Sequence, residues 1–293
     1  MKFTDSHCHL DDTAFYEILP ALLEQCLQVG VHRIIVPSIA PKNFDHVLNL
    51  SKNHQKMNTA KSVSIFPCLG IHPWFLENLT EYHLKQLALK VEQHKSQIIA
   101  IGEIGLDGAI AKNAAQYGQT TEQNYNQQMY FFDYQLNLAQ QHDLPVVIHH
   151  RQSHDKIIPF LKKFQLARTG IIHGFSGSYQ QAKAYLDLGF KLGVGGTITY
   201  SRAKKTINTI KRLPLSSLVL ETDAPSMPLS KEVLTSLELS TGVNTHLPPP
   251  TNSPVNIKYV FAVLNQLRAE SAEQIAHQLE ENIEQLFFQH SLL

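Results

Sequence analysis

The chain has 293 residues, of which 43% are hydrophobic and 17% are charged, and this composition excludes a disordered chain and a coiled coil. Lysine plus arginine and aspartate plus glutamate are equal at 25 each, so no overall positive field attracts a polyanion. A nucleic acid substrate would therefore have to be held by a local patch or by metal ions.

Three cysteines at unrelated spacings, Cys8, Cys26 and Cys68, argue against a disulfide framework and for a reducing compartment. The opening residues, MKFTDSHC, lack the basic and apolar regions of a secretory signal. No apolar run reaches the ~20 residues needed to span a bilayer. We therefore expect a cytoplasmic protein that does not enter a membrane.

Apolar runs of strand length alternate with amphipathic stretches of helix length along almost the whole chain. Strands that are apolar on both faces are typical of parallel sheets covered by helices, so each run followed by a helical pattern predicts one β/α unit. Eight such units in this length fit a single (β/α)8 TIM barrel over residues 1–293 better than two open sheets. The predicted strands begin at Lys2, His32, Ser62, Ile98, Pro145, Gly170, Phe190 and Ser217.

Two glycines and one long loop mark the ends of predicted elements. Gly30 and Gly189 stand where helices end, in a position that favours left-handed backbone. Residues 228–254 follow the eighth strand and are predicted as an inserted loop at the barrel rim, either a lid or a tolerated insertion. Beyond it, NIKYVFAVLNQLR predicts a helix, and SAEQ opens a closing helix with a capping-box pattern.

Polar residues that bind metals stand at the ends of five predicted strands, where a barrel of this type gathers its catalytic groups. His7 and His9 are two residues apart on the first strand, so both side chains point to the same face. The others are Glu103 in AIGEIGLD, His149 in VIHHR, His173 in IIHGF and Asp223 in LETDAP. All six are nitrogen or oxygen donors, which suits zinc, manganese or magnesium.

Each of these residues has a structural alternative when it is taken alone. His173 could be a hydrogen-bonded core histidine, and Asp223, which Ala-Pro follows, could cap a turn. Chance is a poor explanation for independent polar groups at the tips of several apolar strands. The sequence therefore predicts a metal site at the barrel mouth. Cys8 lies on the opposite strand face from the two histidines and is a poor ligand.

Six ordered motifs resemble those of the TatD family of metal-dependent hydrolases, in the amidohydrolase superfamily. They are DSHCHL, GIHP, AIGEIGLD, LPVVIHHR, HGFSG and LETDAP. The resemblance runs from Asp5 to the closing ENIEQLF, and residues 173–229 look especially similar to the YjjV branch. It implies a (β/α)8 barrel, one or two divalent ions and, in several members, deoxyribonuclease activity.

Carried over residue by residue, the resemblance implies two divalent cations. One is held by His7, His9 and Asp223, the other by His149 and His173, and Glu103 is shared. A bridging carboxylate can hold two cations about 3.5 to 4 Å apart, and a water between them becomes a hydroxide nucleophile near neutral pH. Other amidohydrolases often carry a carboxylated lysine on the fourth strand, so Glu103 favours the TatD pattern.

Five further residues are predicted around these ligands, each with an alternative left open. His72 could donate to a substrate phosphate, or it could support the ligands from behind or lie at the rim. Arg151 could neutralise a phosphate or pair with a carboxylate such as Glu221. Trp74 could stack a base or pack at the rim. Asp5 and Glu221 are expected to support the ligands from behind rather than to bind the ion.

The chain departs from the family pattern after the eighth strand. Relatives usually have Arg-Asn-x-Pro there, and this chain has TNSP, so Asn252 and Pro254 match but the arginine is absent. The 228–254 segment also looks longer than is usual in the YjjV branch. If that loop contacts substrate, specificity could differ from that of the nuclease members.

These features favour a divalent-metal-dependent hydrolase, a TatD-type deoxyribonuclease that acts on DNA ends as a 3′–5′ exonuclease. The expected mechanism is attack by a metal-bridging hydroxide, with Glu103 and Asp223 as the catalytic carboxylates and Asp223 accepting the proton. A small phosphodiester or ester is the alternative substrate, and no obligate protein partner is evident. The rivals are an ester or amide hydrolase, such as an aminoacyl-tRNA deacylase, and a non-catalytic metal-binding protein.

Overall fold

The computed structural model describes residues 1–56, 62–235 and 252–289. Eight parallel strands form one sheet in chain order, each hydrogen-bonded to the next. They are β1 (Phe3–Asp5), β2 (Val31–Pro37), β3 (Ser64–Leu69), β4 (Ala100–Asp107), β5 (Val146–Arg151), β6 (Gly170–Ile172), β7 (Lys191–Val194) and β8 (Leu218–Leu220). All eight predicted strands are present, and the predicted (β/α)8 barrel is confirmed.

Helices alternate with the strands, as the amphipathic stretches predict. Those with bounds in the described ranges are α1 (Leu19–Gln28), α2 (Phe44–Lys56), α3 (Glu81–His94), α4 (Gly108–Lys112), α5 (Thr121–Gln141), α6 (His154–Phe164), α7 (Tyr179–Leu186), α8 (Lys204–Arg212), α9 (Ile257–Leu267) and α10 (Ala272–Ile283). Gly30 and Gly189 both have positive φ, as predicted. The predicted capping box of the closing helix forms between Ser271 and Gln274.

The first and last strands meet through backbone hydrogen bonds beyond their ends. Ser6 N donates to Leu220 O at 2.9 Å, and Asp223 N donates to His7 O at 2.8 Å. Cys8 N instead donates to Ile35 O of β2 at 3.1 Å. Because backbone groups after β1 bond both neighbouring strands, the chain there is fixed although it leaves the regular ladder.

Several strand ends differ from the prediction. β1 ends at Asp5 and β8 at Leu220, so the His7–His9 pair and Asp223 lie in irregular chain just beyond their strands. β4 instead continues past Glu103 as far as Asp107. At β1 the ladder is interrupted where the His7 N–H donates to Asp5 Oδ1, within its own segment, at 3.3 Å.

The amino-terminal end of the barrel is closed by the C-terminal segment. Ile283, Leu286 and Phe287 are buried there against inward-facing strand residues. Those strand residues are Ile35, Cys68, Ala100, Val147, Ile171 and Val219. The functional face is therefore the opposite one, at the carboxyl ends of the strands.

The structure bears on the predicted rim loop and on membrane crossing. Most of the predicted rim insertion, residues 236–251, lies outside the described residues. No helix within the described ranges combines the length and apolarity that a membrane crossing requires.

Arg33 ties the closing helix to the base of the barrel. Its guanidinium donates to Glu280 at 2.6 Å and to Glu284 at 2.5 Å, and its Nε donates to Thr4 Oγ1 at 2.9 Å. The Arg33 side chain is only 12% exposed, so water replaces these contacts poorly.

We expect Arg33→Ala to lower the free energy of unfolding by about 2 kcal/mol, because Glu280 loses a charged donor at a partly buried position. Urea unfolding followed by circular dichroism measures this change. The control is Lys162→Ala, at an exposed position near the end of α6, for which a change within about 0.5 kcal/mol is expected. Equal losses in the two variants would contradict the role given to Arg33.

Candidate metal centre

A cavity of about 680 Å³ opens at the carboxyl ends of the strands, on the face where the sequence predicts the metal ligands. His7 is fully buried and contacts Glu103. The other predicted ligands line the cavity: His9, Glu103, His149, His173 and Asp223. The structure thus brings all six predicted ligands together.

Four donor atoms form a first cluster on one side of Glu103. The Nε2 atoms of His7 and His9 lie 3.2 Å apart, and they lie 3.2 and 3.4 Å from Glu103 Oε2. The same two nitrogens lie 3.5 and 3.4 Å from Asp223 Oδ1. A tetrahedral ion with bonds of about 2.1 Å separates its ligands by about 3.4 Å. The donors present therefore fit a divalent cation.

The other oxygen of Glu103 faces a second group of histidines. His149 Nδ1 lies 3.1 Å and His173 Nε2 lies 3.4 Å from Glu103 Oε1. One carboxylate thus contacts both groups, which is the division of ligands that the motifs imply. This placement suits a carboxylate shared between two cations.

The outer nitrogens of His149 and His173 each meet a further carboxylate. His149 Nε2 lies 2.9 Å from Asp107 Oδ2, and His173 Nδ1 lies 3.2 Å from Glu221 Oε1. A carboxylate at the outer nitrogen holds a ring proton there, so the inner nitrogen is the one that binds a cation once its own proton is lost. Both rings are therefore oriented to offer a cation the nitrogen nearer Glu103.

His72 is oriented as a hydrogen-bond donor. Its Nδ1 accepts from the Trp74 backbone N–H at 3.0 Å, so its Nε2 carries the ring proton and points at Glu103 Oε1, 3.3 Å away. Burial lowers the pKa of His72 to about 4, so the ring is neutral near pH 7. His72 is buried beside Glu103 instead of lying at the rim. A donor at this point fits the predicted contact with a substrate phosphate better than it fits a metal ligand.

Asp107 is a site residue that the sequence motifs did not predict. Its Oδ2 accepts from the Trp74 indole at 2.7 Å as well as facing His149, and its Oδ1 accepts from two amides at the start of α4. Burial raises its pKa, but the hydrogen bonds from His149 and the α4 amides outweigh burial and lower the pKa to about 2. The sequence contains an indication of this role, since Asp107 is four residues after Glu103 and shares its strand face.

The histidines and carboxylates of the site shift one another's pKa values. Burial raises the pKa of Glu103, but the neighbouring histidines outweigh burial and hold it well below its usual range. Burial lowers the pKa of His173, but the carboxylates of Glu221 and Glu103 outweigh burial and raise it to about 10. The pKa of His9 is likewise raised well above its usual value by Asp223 and Glu103, against the effect of burial. The carboxylates therefore require positive charge between them, which a cation can supply.

Asp5 and Glu221 lie behind the ligands. Asp5 is fully buried and accepts from both the N–H and the hydroxyl of Thr222, so it joins β1 to the chain after β8. Burial raises the pKa of Asp5 to about 8. Glu221 accepts from Gly174 N and packs over Gly193, where a Cβ atom would overlap its carboxylate. Both residues thus lie behind the ligands, and their supporting role stays a prediction.

Arg151 and Trp74 stand at the mouth of the cavity. The Arg151 side chain is exposed and, among the described residues, makes no hydrogen bond or ion pair, so the alternative of pairing with Glu221 is not realised. Trp74 is 47% exposed, and its indole N–H is held by Asp107. A free guanidinium and a fixed, exposed ring are thus both available to a substrate.

The family model described as TatD related DNase matches residues 4–288. The chain belongs to the TatD family. It is 42% identical over 286 residues to the uncharacterized metal-dependent hydrolase YjjV of Escherichia coli (strain K12), with 98% of each chain covered. It is 26% identical over 291 residues to the deoxyribonuclease TATDN3 of Homo sapiens, with 97% of this chain and 93% of that protein covered.

Solved structures of TatD proteins share the fold. The crystal structure of YjjV, a TatD homolog from Escherichia coli, superposes with a TM-score of 0.83 at 41% identity and 98% coverage of both chains. A TatD family hydrolase from Entamoeba histolytica superposes with a TM-score of 0.81 at 21% identity, with 98% of each chain covered. The protein is accordingly a metal-dependent hydrolase of the TatD family.

The TatD motif residue Asn252 holds the loop that carries Asp223. Its amide donates to the carbonyls of Thr222, Ser226 and Met227, and Asn252 is almost completely buried. Asp223 has a φ of 55°, a conformation that needs support from its surroundings. The match to the family at Asn252 is thereby explained, whereas the departure at Thr251 lies outside the described residues.

We expect Gly193→Ala to weaken Mn²⁺ binding by about 10- to 100-fold, because the added Cβ displaces Glu221 from His173. The matched control is Gly195→Ala, whose Cβ would lie 3.4 Å from Glu221 Cγ, an ordinary contact. Titration against a chelator of known affinity measures both variants. Equal affinities in the two would show that Glu221 does not orient the ligand.

We also expect Mn²⁺ binding to release at least about one proton per ion near pH 7.5, because His9 and His173 carry protons there that a cation displaces. Affinity should consequently rise with pH. Calorimetry in two buffers of different ionisation enthalpy measures the number released. Glu221→Gln, which lowers the pKa of His173, should release fewer protons, and an absence of buffer dependence would contradict the prediction.

Proposed function

We propose that this TatD protein hydrolyses phosphodiester bonds at DNA ends, in the 3′ to 5′ direction. The observation that carries the proposal is the Glu103 carboxylate, whose two oxygens face separate groups of histidines at the floor of an open cavity. Sites that hold two cations in this way suit displacement at phosphorus. The description of the matching family and the name of the human relative both support a deoxyribonuclease.

The proposed ligands divide into two sets. His7, His9 and Asp223 would hold one divalent cation, His149 and His173 the other, and Glu103 would contact both. Cations held by these residues would supply Lewis acidity, lowering the pKa of a bound water and offsetting charge on the phosphoryl oxygens. Zinc, manganese and magnesium all suit these donors.

Asp223 is the proposed proton acceptor. Burial raises its pKa, but His173, His9 and His7 outweigh burial and lower it, so the carboxylate is ionised near neutral pH. The hydrogen bond from its backbone N–H to His7 O fixes the residue beside the first cluster. An ionised, fixed carboxylate at the cavity wall is positioned to take a proton from an attacking water.

Three residues are proposed to bind the substrate. The Nε2–H of His72 points into the site and can donate to a phosphoryl oxygen. The guanidinium of Arg151 is free to bind a phosphate through two parallel hydrogen bonds. The Trp74 ring, held at its edge by Asp107, can stack on a terminal base.

The test is digestion of a 5′-labelled single-stranded oligonucleotide with Mg²⁺ or Mn²⁺. We expect a ladder shortened from the 3′ end, and loss of activity by at least about 10³-fold in Glu103→Ala or on chelation. Glu81→Ala on the surface of α3 is the matched control and should retain full activity.

Two results would overturn the proposal. Turnover of aminoacyl esters or amides with no turnover of any phosphodiester would instead favour an ester or amide hydrolase. Tight Mn²⁺ binding without turnover of any of these substrates would favour a non-catalytic metal-binding protein.

A further inference from the structure

Positive charge is concentrated in one part of this chain, whose formal net charge is zero. Residues 188–220 contain six basic residues and no aspartate or glutamate. They are Lys191, Arg202, Lys204, Lys205, Lys211 and Arg212. Because the whole chain has 25 basic and 25 acidic residues, this segment creates a local positive field that the overall charge conceals.

Three of these six basic residues lie at the rim of the candidate metal centre. α8 begins after β7, so its first turn lies at the carboxyl face of the barrel and its last turn lies toward the opposite face. Arg202, Lys204 and Lys205 are exposed at this beginning and are called the basic ridge below. Within the described part of the chain, none of the three forms an ion pair.

The basic ridge is joined to the wall of the main cavity. Gly177 N donates to Thr206 Oγ1 at 3.3 Å, and Thr209 Oγ1 donates to Gly177 O at 3.2 Å. These bonds fix the first half of α8 against the loop that contains Ser176, which lines the main cavity. The position of the ridge relative to the metal ligands is therefore set by the fold.

A second cavity of about 260 Å³ lies between the ridge and the main cavity. Thr197 and Met227 line both cavities, so the two adjoin. The Tyr200 hydroxyl donates to Pro228 O at 2.8 Å, and the Arg202 guanidinium lies 4.9 Å from the centre of the Tyr200 ring. The floor between the metal ligands and the ridge is thus formed by a fixed aromatic ring beside a cation.

We propose that the basic ridge binds backbone phosphates of the DNA strand that extends away from the bond being cut. The strand passes from the metal centre over Thr197 and Met227 and along the second cavity to Arg202, Lys204 and Lys205. The proposal rests on the proposed phosphodiesterase function and adds where the uncut part of the substrate lies. A continuous polyanion is the occupant whose charge matches unpaired cations spaced outward from a metal centre.

The test compares the wild type with Arg202→Ser/Lys205→Ser. We expect the ratio of kcat/KM for a 20-nucleotide single strand to kcat/KM for bis(p-nitrophenyl) phosphate to fall by about 10-fold or more at 0.1 M salt. The slope of log KM for the oligonucleotide against log salt should decrease by about 1.4, since each lost contact with a single strand contributes about 0.7.

Lys211→Ser is the matched control, because Lys211 is exposed on the same helix but lies about 9 Å further along its axis than Lys205. That separation is comparable to the Debye length of about 10 Å at 0.1 M salt, so more than half of the field of Lys211 is screened at the ridge. The control should retain both the ratio and the slope. An equal effect in Lys211→Ser would overturn the ridge in favour of a general effect of charge.

The failure of the ridge and the failure of the proposed function give different results. An unchanged ratio and slope, with hydrolysis that still depends on Glu103, would overturn the ridge alone. If the wild type hydrolyses no phosphodiester, the proposed function fails, and fluorescence anisotropy of a labelled oligonucleotide then tests the ridge directly. Equal affinities of the wild type and Arg202→Ser/Lys205→Ser at 0.1 M salt would overturn it.

Discussion

The site depends on one buried carboxylate. Glu103 is almost inaccessible to water, and an ionised side chain in that position is costly unless opposite charge or donors surround it. Five histidines from four different barrel segments supply that compensation. Because these segments belong to four different strand ends, the compensation exists only when the barrel has formed, so folding and assembly of the site are the same event.

A set of outer contacts keeps those histidines in place. Asp107 and Glu221 fix two rings from behind, and the Trp74 backbone fixes His72. Gly193 contributes because it has no side chain, since a Cβ atom there would occupy the space of the Glu221 carboxylate. The chemistry that each imidazole offers is therefore set by neighbours outside the first cluster.

The barrel and the six proposed ligands could be read from the sequence for a simple reason. The strands are apolar on both faces, so a polar residue at a strand end stands out, and parallel strands bring such ends to one place. The orientation of His72 could not be read in this way, because it depends on a hydrogen bond within an irregular turn. The contact of Asp107 with Trp74 joins two strand ends through side chains, and neither residue signals the other in the sequence.

The closure of the barrel by the C-terminal segment determines how a substrate enters and leaves the main cavity. Ile283, Leu286 and Phe287 seal one end, so the interior is a blind well and not a tunnel. Whatever enters the main cavity must back out by the same opening, and a polymer cannot thread through the protein as it does through a ring. Under the proposed function, successive cuts on one strand require the substrate to slide across the outer face or to dissociate between turnovers.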